Sequence, residues 1–295
     1  MLEVALSAGT IEYEDTGTGP PVVLLHGLAM DGSLWRNVVS DLDRDHRCLV
    51  PTLPLGSHRR PMRPDADLSF HGHVRLIAEF LERLDLRDVT LVQSDMGFAQ
   101  LLAAENPERL ARLVLLSSEA FDNYPPGLPG RILGLAARLP GGLNALVQPL
   151  RFRPLRRSPM ALGRMAKRPI PHEVTDAWLR PLFTDRRIRD DLLKYLRAAV
   201  ADKGLMLKAS EGVTSFDRPA LVVWAAEDRV MPPEHGRRLA DLLPQGRLIE
   251  IADSYTLLPL DQPREVAATI RRFIQETSEE EDEWTQTQAP AGNRS

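Results

Sequence analysis

The amino-acid sequence predicts an α/β protein that has a mostly parallel central sheet, helices on both faces of that sheet and an inserted helical cap. Short apolar segments rich in β-branched residues alternate with longer segments of helical apolar spacing. Strands that are apolar on both faces are typical of a parallel sheet covered by helices on each side. The alternation stops near residue 121 and resumes near residue 215. The segment between, dense in Pro, Gly and Arg, has helical spacing without strands and is expected to form the cap.

The predicted elements follow in chain order. Strands are expected at 11–15 (an edge strand), 22–25, 47–51, 89–92, 112–116, 220–224 and 247–251. Helices are expected at 68–84, at 97–105, where Asn-Pro ends the helix, and from 262 to about 275. The chain therefore divides into a core of residues 1–120 and 215–277, a cap of residues 121–214, and a polar acidic tail of residues 278–295 that is expected to be disordered.

Composition limits the classes of function. The 295 residues carry a formal net charge of only −4, so no whole-chain field favours nucleic acid as a partner. The seven Lys/Arg within 151–168 and the acidic run at 279–283 are interpreted as solvated surface. One cysteine, Cys48, permits no internal disulfide. With no apparent signal segment or long apolar stretch, we expect a cytoplasmic protein that binds a small molecule and has no membrane partner. The oligomeric state is left open.

The segment from Leu91 to Gln100 lies between a buried strand and a helix, where a tight turn would present one side chain beyond the carboxyl end of the sheet. Two registers compete for that position. If Ser94 were presented, Met96 would occupy a place that requires a small residue, whereas presenting Asp95 puts Gly97 there. The sequence therefore favours Asp95 as the presented side chain.

At this point the sequence resembles the α/β-hydrolase superfamily, and within it the branch of haloalkane dehalogenases and epoxide hydrolases that uses an aspartate nucleophile. The resemblance covers nearly the whole chain. Besides the turn at Asp95, it rests on Leu24-Leu-His-Gly27, Leu34-Trp-Arg-Asn-Val38, Val222-Val-Trp-Ala-Ala-Glu-Asp228 and Asp261-Gln-Pro263.

The resemblance implies an ester intermediate on Asp95 and an oxyanion hole made by backbone N–H groups near Leu28 and Met96. It also implies that Asp228 is the catalytic acid residue, with Glu119 at the position that some dehalogenases use instead. His26, after the first buried strand, is then expected to be structural.

One departure concerns the late histidine that activates water in the family. The matching position is Thr256, and no histidine follows His235. A hydroxyl cannot accept a proton at neutral pH as imidazole does. His58, in a loop at the carboxyl edge of the sheet, is the best-placed substitute. Without an imidazole, neighbouring carboxylates would raise each other's pKa, so Asp95 could instead work with a second carboxylate as an acid/base pair.

The remaining candidates concern substrate. Leu28 and Met96 offer no side-chain N–H, which disfavours a halide leaving group. Tyr124 and Tyr195 of the cap could protonate an epoxide oxygen. Further candidate substrate contacts are His26, Trp35, His58 and Thr256. No metal-ligand spacing and no cofactor motif is present.

We expect a hydrolase that acts on a small, largely apolar molecule, such as an epoxide, an ester or a related electrophile. One alternative is a non-hydrolytic acid/base cyclase or lyase. The other is a small-molecule binding protein that has lost turnover, since fold alone does not determine function.

Overall fold

The computed structural model describes residues 1–202 and 204–288 and contains an eight-stranded sheet. The strands are β1 (Leu2–Leu6), β2 (Gly9–Thr16), β3 (Pro21–Leu25), β4 (Arg47–Pro51), β5 (Val89–Asp95), β6 (Leu110–Ser118), β7 (Ala220–Ala225) and β8 (Gly246–Ile251). Their order is β1-β2-β4-β3-β5-β6-β7-β8. The pairs β1·β2 and β2·β4 are antiparallel, and the remaining pairs are parallel. The predicted fold class is confirmed.

The helices are α1 (Arg36–Leu42), α2 (Phe70–Arg83), α3 (Phe98–Glu105), α4 (Gly127–Arg138), α5 (Gly142–Val147), α6 (His172–Thr184), α7 (Arg186–Ala201), α8 (Leu205–Gly212), α9 (Pro233–Leu242), α10 (Leu258–Asp261) and α11 (Pro263–Gln288). None of the helices in the described residues is long and apolar enough to cross a membrane.

Alternate side chains of the central strands enter two separate apolar clusters, as the period of two along a strand requires. In β3, Val23 and Leu25 join the cluster that includes α2, α3 and α9, whereas Val22 and Leu24 join the cluster that includes α1 and α11. Both faces of the sheet are therefore covered by helices. This explains why the central strands are continuous apolar runs in the sequence.

The N-terminal edge of the sheet differs from the prediction. Residues 11–15 belong to β2, which is not an edge strand, because β1 pairs with its outer side. Most of β1 is exposed or half-buried. A short strand that covers so little apolar surface gives no clear alternation in the sequence.

The C-terminal boundary also differs. The last helix does not end near residue 275 but continues to Gln288, so residues 278–288 of the expected disordered tail are helical. The remaining tail, 289–295, lies outside the described residues. Arg247 of β8 forms ion pairs with Glu276 and Glu280, which are one turn apart on α11. Glutamates favour helix, and these pairs attach the acidic segment to the sheet.

Between β6 and β7 the chain forms α4 to α8. Helices α4 and α7 pack together, with Gly134 against Val200, and α8 packs against α3 of the core through buried residues such as Met206. The cap therefore lies over the turn between β5 and α3.

Candidate active site

Strand β5 ends at Asp95, whose φ of 70° lies in the left-handed region that non-glycine residues seldom adopt. Helix α3 begins three residues later, at Phe98. The side chain of Asp95 is 4% exposed, and its Oδ2 atom accepts a hydrogen bond of 3.0 Å from the Leu28 N–H. The second expected donor, the Met96 N–H, instead donates to the Ser94 carbonyl at 2.8 Å. Strained backbone of this kind is concentrated at functional sites.

Two glycines make room for this turn. A Cβ atom on Gly27 would lie 2.2 Å from Asp95 Oδ2, and one on Gly97 would lie 2.4 Å from the sulfur of Met206. Real Cβ atoms do not approach neighbours so closely. The small residues flanking the turn are thus required by the position of the Asp95 side chain and by the packing of α8.

The pKa of Asp95 is raised to about 6, chiefly because burial disfavours the charged carboxylate and also because Asp228 places a like charge nearby. The Leu28 N–H acts in the opposite direction. At neutral pH most Asp95 carboxyls are ionised, yet the charge is held in an environment that stabilises it poorly. Functional sites often contain groups whose pKa is perturbed in this way.

Glu119 follows β6 and is attached to the same turn through its backbone. Its N–H donates to the Asp95 carbonyl at 2.9 Å, and its own carbonyl accepts from the Gln100 side chain at 2.7 Å. Burial and the Asp95 charge raise the pKa of Glu119 well above its ordinary value. The buried Oε2 atom has no hydrogen-bond partner among the described residues. Burial and the Asp95 charge therefore both favour the protonated form of Glu119.

Asp228 follows β7, as expected for the acid position. Its Oδ1 atom accepts hydrogen bonds from the N–H groups of Val230 and Met231 and from the Thr256 hydroxyl, at 2.8 to 2.9 Å. Burial is the main cause that raises the Asp228 pKa. The Oδ2 atom is buried without a partner in the described part of the chain. Thr256 thus contacts Asp228 through its hydroxyl, which cannot accept a proton at neutral pH as imidazole does.

The two predicted cap tyrosines meet. The hydroxyl oxygens of Tyr124 and Tyr195 are 3.5 Å apart, and both side chains are buried. After burial, the charge of Glu119 is the next cause that raises the pKa of each phenol, and the Asp95 charge also acts on Tyr195. The pair therefore lies close to the carboxylates and remains protonated at physiological pH, able to donate a proton or a hydrogen bond.

Two other candidates have structural contacts. The Nε2 atom of His26 accepts the Leu53 N–H at 2.8 Å, and its Nδ1 atom donates to the Gly27 carbonyl at 2.8 Å. Burial lowers the His26 pKa, so the ring is neutral and fixes the loop beneath Leu28. Trp35 is fully buried in the apolar cluster of α1 and α11, on the other face of the sheet from α3.

His58 contacts Asp191 of the cap and not Asp95, which a substitute base would need to serve. Its Nε2 atom donates to Asp191 of α7 at 3.2 Å, and its Nδ1 atom accepts the Gly56 N–H at 3.3 Å. Asp191 also accepts the Met62 N–H at 2.8 Å. Both ring nitrogens are therefore occupied, and the contacts of His58 connect the loop of residues 56–62 to the cap. The structure gives it no contact with Asp95.

One histidine near the tyrosines was not expected there. His73, on α2, is fully buried, stacked on Phe98 and edge-on to Tyr195. Its Nδ1 atom donates to the Ser69 carbonyl, and its Nε2 atom has no partner among the described residues. Burial lowers the His73 pKa to about 4, so the ring is neutral. Helical spacing alone could place it on the buried face but not beside Tyr195.

The described residues contain no group of three or more His, Cys, Asp or Glu side chains placed so that they could hold a metal ion.

A mostly parallel sheet, a buried carboxylate at the tight turn after β5 and an acid after β7 define the class of α/β-hydrolase fold proteins. The family model for the alpha/beta hydrolase fold matches residues 20–263. The chain belongs to this family.

Two kinds of curated relative are similar to it. A haloalkane dehalogenase of Mesorhizobium japonicum is 33% identical over 152 residues, which are 49% of this chain and 48% of that protein. A cis-3-alkyl-4-alkyloxetan-2-one decarboxylase of Shewanella oneidensis is 27% identical over 282 residues, which are 90% of this chain and 86% of that protein. The chain thus matches about half the length of the dehalogenase and most of the decarboxylase.

Solved structures agree on the fold. The haloalkane dehalogenase DbeA-M1 loop variant from Bradyrhizobium elkanii superposes with a TM-score of 0.78 at 20% identity and covers 95% of this chain and 98% of its own. A thermophilic esterase from Thermogutta terrifontis has a TM-score of 0.72 at 20% identity, with 94% and 99% covered. At these identities the likeness concerns the fold alone.

Proposed function

We propose that this protein is an enzyme that opens a small, largely apolar, strained oxygen ring, an epoxide or a lactone, with Asp95 as the nucleophile. The position of the Asp95 carboxylate carries the proposal. One oxygen, Oδ2, is bound by the Leu28 N–H. The other, Oδ1, has no hydrogen-bond partner in the described residues and is available to attack carbon. Attack at the saturated ring carbon that bears the oxygen breaks its C–O bond and forms an ester, in which Oδ2 becomes the carbonyl oxygen and stays beside a donor that stabilises negative charge on it.

The leaving oxygen would receive its proton from the cap. Tyr124 and Tyr195 present two protonated hydroxyls 3.5 Å apart, and the charge of Glu119 acts on both of them. Opening an epoxide places negative charge on an alkoxide, and opening a lactone at its saturated carbon places it on a carboxylate. Two phenolic donors can stabilise either charge. A strained ring also suits a site without a strong base, because relief of ring strain lowers the barrier to attack by a weak nucleophile.

The surroundings favour an apolar substrate. Phe70, Phe98 and the two tyrosines form connected aromatic contacts in the region of the cap above the turn. No side-chain N–H is offered at Leu28 or Met96, which disfavours a departing halide. The oxetanone in the name of the Shewanella relative is itself a four-membered lactone, which is consistent with this class of substrate.

The second half of the reaction lacks an imidazole. In our proposal the Asp228 carboxylate, whose Oδ2 atom has no partner, accepts the proton of the water that attacks the ester. The Thr256 hydroxyl is bonded to the other oxygen and orients this carboxylate. A carboxylate is a weaker base than imidazole, so ester hydrolysis is expected to limit the rate.

A second candidate rests on the proton of Glu119. In this alternative Asp95 acts as the base, and Glu119, whose protonated form is favoured by burial and by the Asp95 charge, acts as the acid. In this alternative no ester forms, and the enzyme cyclises or eliminates rather than hydrolyses.

The test compares the wild type with Asp95→Asn and with Ser94→Ala on a panel of epoxides, β-lactones, aryl esters and haloalkanes. We expect the wild type to turn over strained rings, Asp95→Asn to lose at least about 10³-fold in kcat/KM, and Ser94→Ala to retain most of the rate, since Ser94 belongs to the rejected register. Equal turnover by Asp95→Asn and the wild type would exclude the proposal. Binding of panel members without turnover by the wild type would instead favour the binding-protein alternative.

Isotope labelling separates the two mechanisms. After single turnovers in ¹⁸O-water, the peptide containing Asp95 is analysed by mass spectrometry. Label in that carboxylate is expected from hydrolysis of the ester. Label in the product alone, or in neither, would favour the acid/base pair with Glu119.

A further inference from the structure

The outward face of α4 carries an unusual stripe. Leu128, Arg131, Leu135 and Arg138 follow each other at spacings of three and four, so they lie on one face of the helix, and all four are exposed. Leu128 and Leu135 are 61% and 59% exposed. The opposite face holds buried residues such as Ala137, which pack within the protein. The helix therefore presents leucines and arginines, rather than a simple polar face, to the outside.

Large apolar side chains stay exposed in the chain that follows α4. Solvent-exposed apolar residues are usually scattered singly on a soluble protein, and several of them in one short segment indicate an interaction surface. The segment continues the stripe with Leu139, Leu146, Phe152, Leu155 and Met160. Phe152 is 65% exposed. We refer to residues 127–164 as the outer cap surface.

The same part of the chain is strongly cationic. Residues 123–172 contain nine Lys/Arg and no Asp or Glu, although the whole chain carries −4. Within the described residues, five arginines of the outer cap surface form no ion pair with any acid: Arg131, Arg138, Arg151, Arg157 and Arg164. A surface cavity of about 180 Å³ next to them is also lined by Arg153, Arg156, Lys167 and Arg168. Positive charge is thus segregated to the cap.

We propose that the outer cap surface docks on an anionic lipid bilayer. Leucine and phenylalanine side chains insert at the level of the acyl chains while the neighbouring arginines bind lipid phosphates, as in amphipathic helices that lie in a membrane interface. The proposal departs from the expectation of no membrane partner, which was drawn from the lack of an apparent signal segment and of a long apolar stretch. Docking in a membrane interface requires neither of them. The net charge of the whole chain is small because a cationic cap is offset by an acidic remainder.

Other occupants fit less well. A second copy of the chain would bring the same unpaired arginines together, and residues 123–172 contain no acid to neutralise them. Nucleic acid would neutralise the arginines but would leave the leucines without an apolar environment. A bilayer satisfies both kinds of side chain at once.

Docking has a consequence for the reaction, which rests on the proposed function. Tyr124 lies three residues before α4, so the outer cap surface and a proposed proton donor belong to one stretch of chain. The side chains of Asp95 and Tyr195 are only 4% and 2% exposed, so an apolar substrate must enter past the cap. A docked cap would receive such a substrate from the membrane rather than from water.

The experiment is flotation of the full-length protein with vesicles of phosphatidylcholine alone or with 40% phosphatidylglycerol. We expect binding to the anionic vesicles that weakens as salt is raised. Leu128→Ser/Leu135→Ser and Arg131→Gln/Arg138→Gln are each expected to weaken binding about tenfold or more. The matched control, Arg83→Gln/Arg87→Gln, removes two exposed arginines from the core and is expected to bind like the wild type.

The proposal would be overturned if the protein did not bind anionic vesicles, if it bound neutral vesicles equally well, or if the core control lost as much binding as the cap variants. It would also be overturned by a dimer in solution that Leu128→Ser/Leu135→Ser abolishes, because the surface would then be an interface between copies. Asp95→Asn is included to separate this proposal from the reaction. It is expected to bind vesicles normally, so lack of turnover and lack of docking are distinguishable outcomes.

Discussion

At the scale of single residues, the site depends on carboxyl groups kept away from both water and cations. Asp95, Glu119 and Asp228 are all at least largely buried, and burial is the leading cause that raises each of their pKa values. In a family member with a late histidine, an imidazolium could offset part of this charge. Here Thr256 contributes only a hydroxyl. The burial of these carboxylates therefore has an electrostatic cost, which lowers the free energy of unfolding, at the site where we place the reaction.

This cost predicts a pH-dependent gain in stability for Asp95→Asn. The pKa of Asp95 is about 6 in the folded protein and 3.8 ordinarily, so the folded state binds the proton more tightly than the unfolded state does. The protonated carboxyl group therefore favours folding, and this contribution to stability is lost as the pH rises through 6. The amide keeps an acceptor for the Leu28 N–H and carries no charge. We expect Asp95→Asn to raise the free energy of unfolding by up to about 3 kcal/mol at pH 8 and by little at pH 4.

Urea unfolding at pH 4, 6 and 8 measures the effect. Asp241→Asn, an exposed carboxylate on α9, serves as the control and should change stability by less than about 0.5 kcal/mol at each pH. A gain for Asp95→Asn that is the same at all three pH values would contradict the electrostatic explanation.

At the scale of elements, the turn from β5 into α3 is held by the cap helix α8. Met206 of α8 is fully buried and fills the space that a side chain at position 97 would need. The Glu119 carbonyl lies 3.2 Å from the same position. A change at Gly97 therefore displaces either α8 or the turn, and the turn carries Asp95.

We predict that Gly97→Ala lowers kcat/KM about 10²-fold while the protein still folds, because small displacements of reacting groups are costly. Gly97→Ala/Met206→Ala should recover part of this loss, since the shorter side chain gives the new methyl group room. The comparison is a double-mutant cycle in kcat/KM and in urea stability. Additive effects of the two substitutions would show that the contact with Met206 is not the cause.

At the scale of the whole molecule, cap and core are joined by a buried polar contact. Asp191 of α7 accepts hydrogen bonds from His58 and from the Met62 N–H, and its side chain is 5% exposed. These contacts cross from the cap to the loop of residues 56–62 on the core. The cap is thus attached to the core through this contact as well as through α8, and the outer cap surface, for which we propose docking, is a different part of the cap.

We predict that Asp191→Ala destabilises the protein by about 2–4 kcal/mol, because two buried donors lose their acceptor. The loss should also increase hydrogen exchange in α7 and in residues 56–62. Asp190→Asn changes the neighbouring carboxylate, which is exposed and, among the described residues, pairs only with Arg186 one turn away. This variant should stay within about 0.5 kcal/mol of the wild type. Equal effects of the two substitutions would argue against the anchoring role.

The sequence by itself determined the α/β class, the central strands, the cap insertion and Asp95 as the residue at the tight turn. These follow from local patterns: apolar periodicity, glycine where a Cβ atom cannot fit, and the order of short motifs. The sequence did not reveal β1 or the helical extent of α11, because their stability depends on a neighbouring strand and on Arg247 rather than on their own pattern.

Only the tertiary structure decided which distant side chains meet. It paired Tyr124 with Tyr195, directed His58 to Asp191 rather than to Asp95, and placed the Thr256 hydroxyl on Asp228. The first two contacts depend on how the cap packs over the sheet, and the third depends on the pairing of β7 with β8, after which Asp228 and Thr256 follow. Local spacing can specify an element and the face it buries, but a contact across elements is fixed by the packing of the whole molecule.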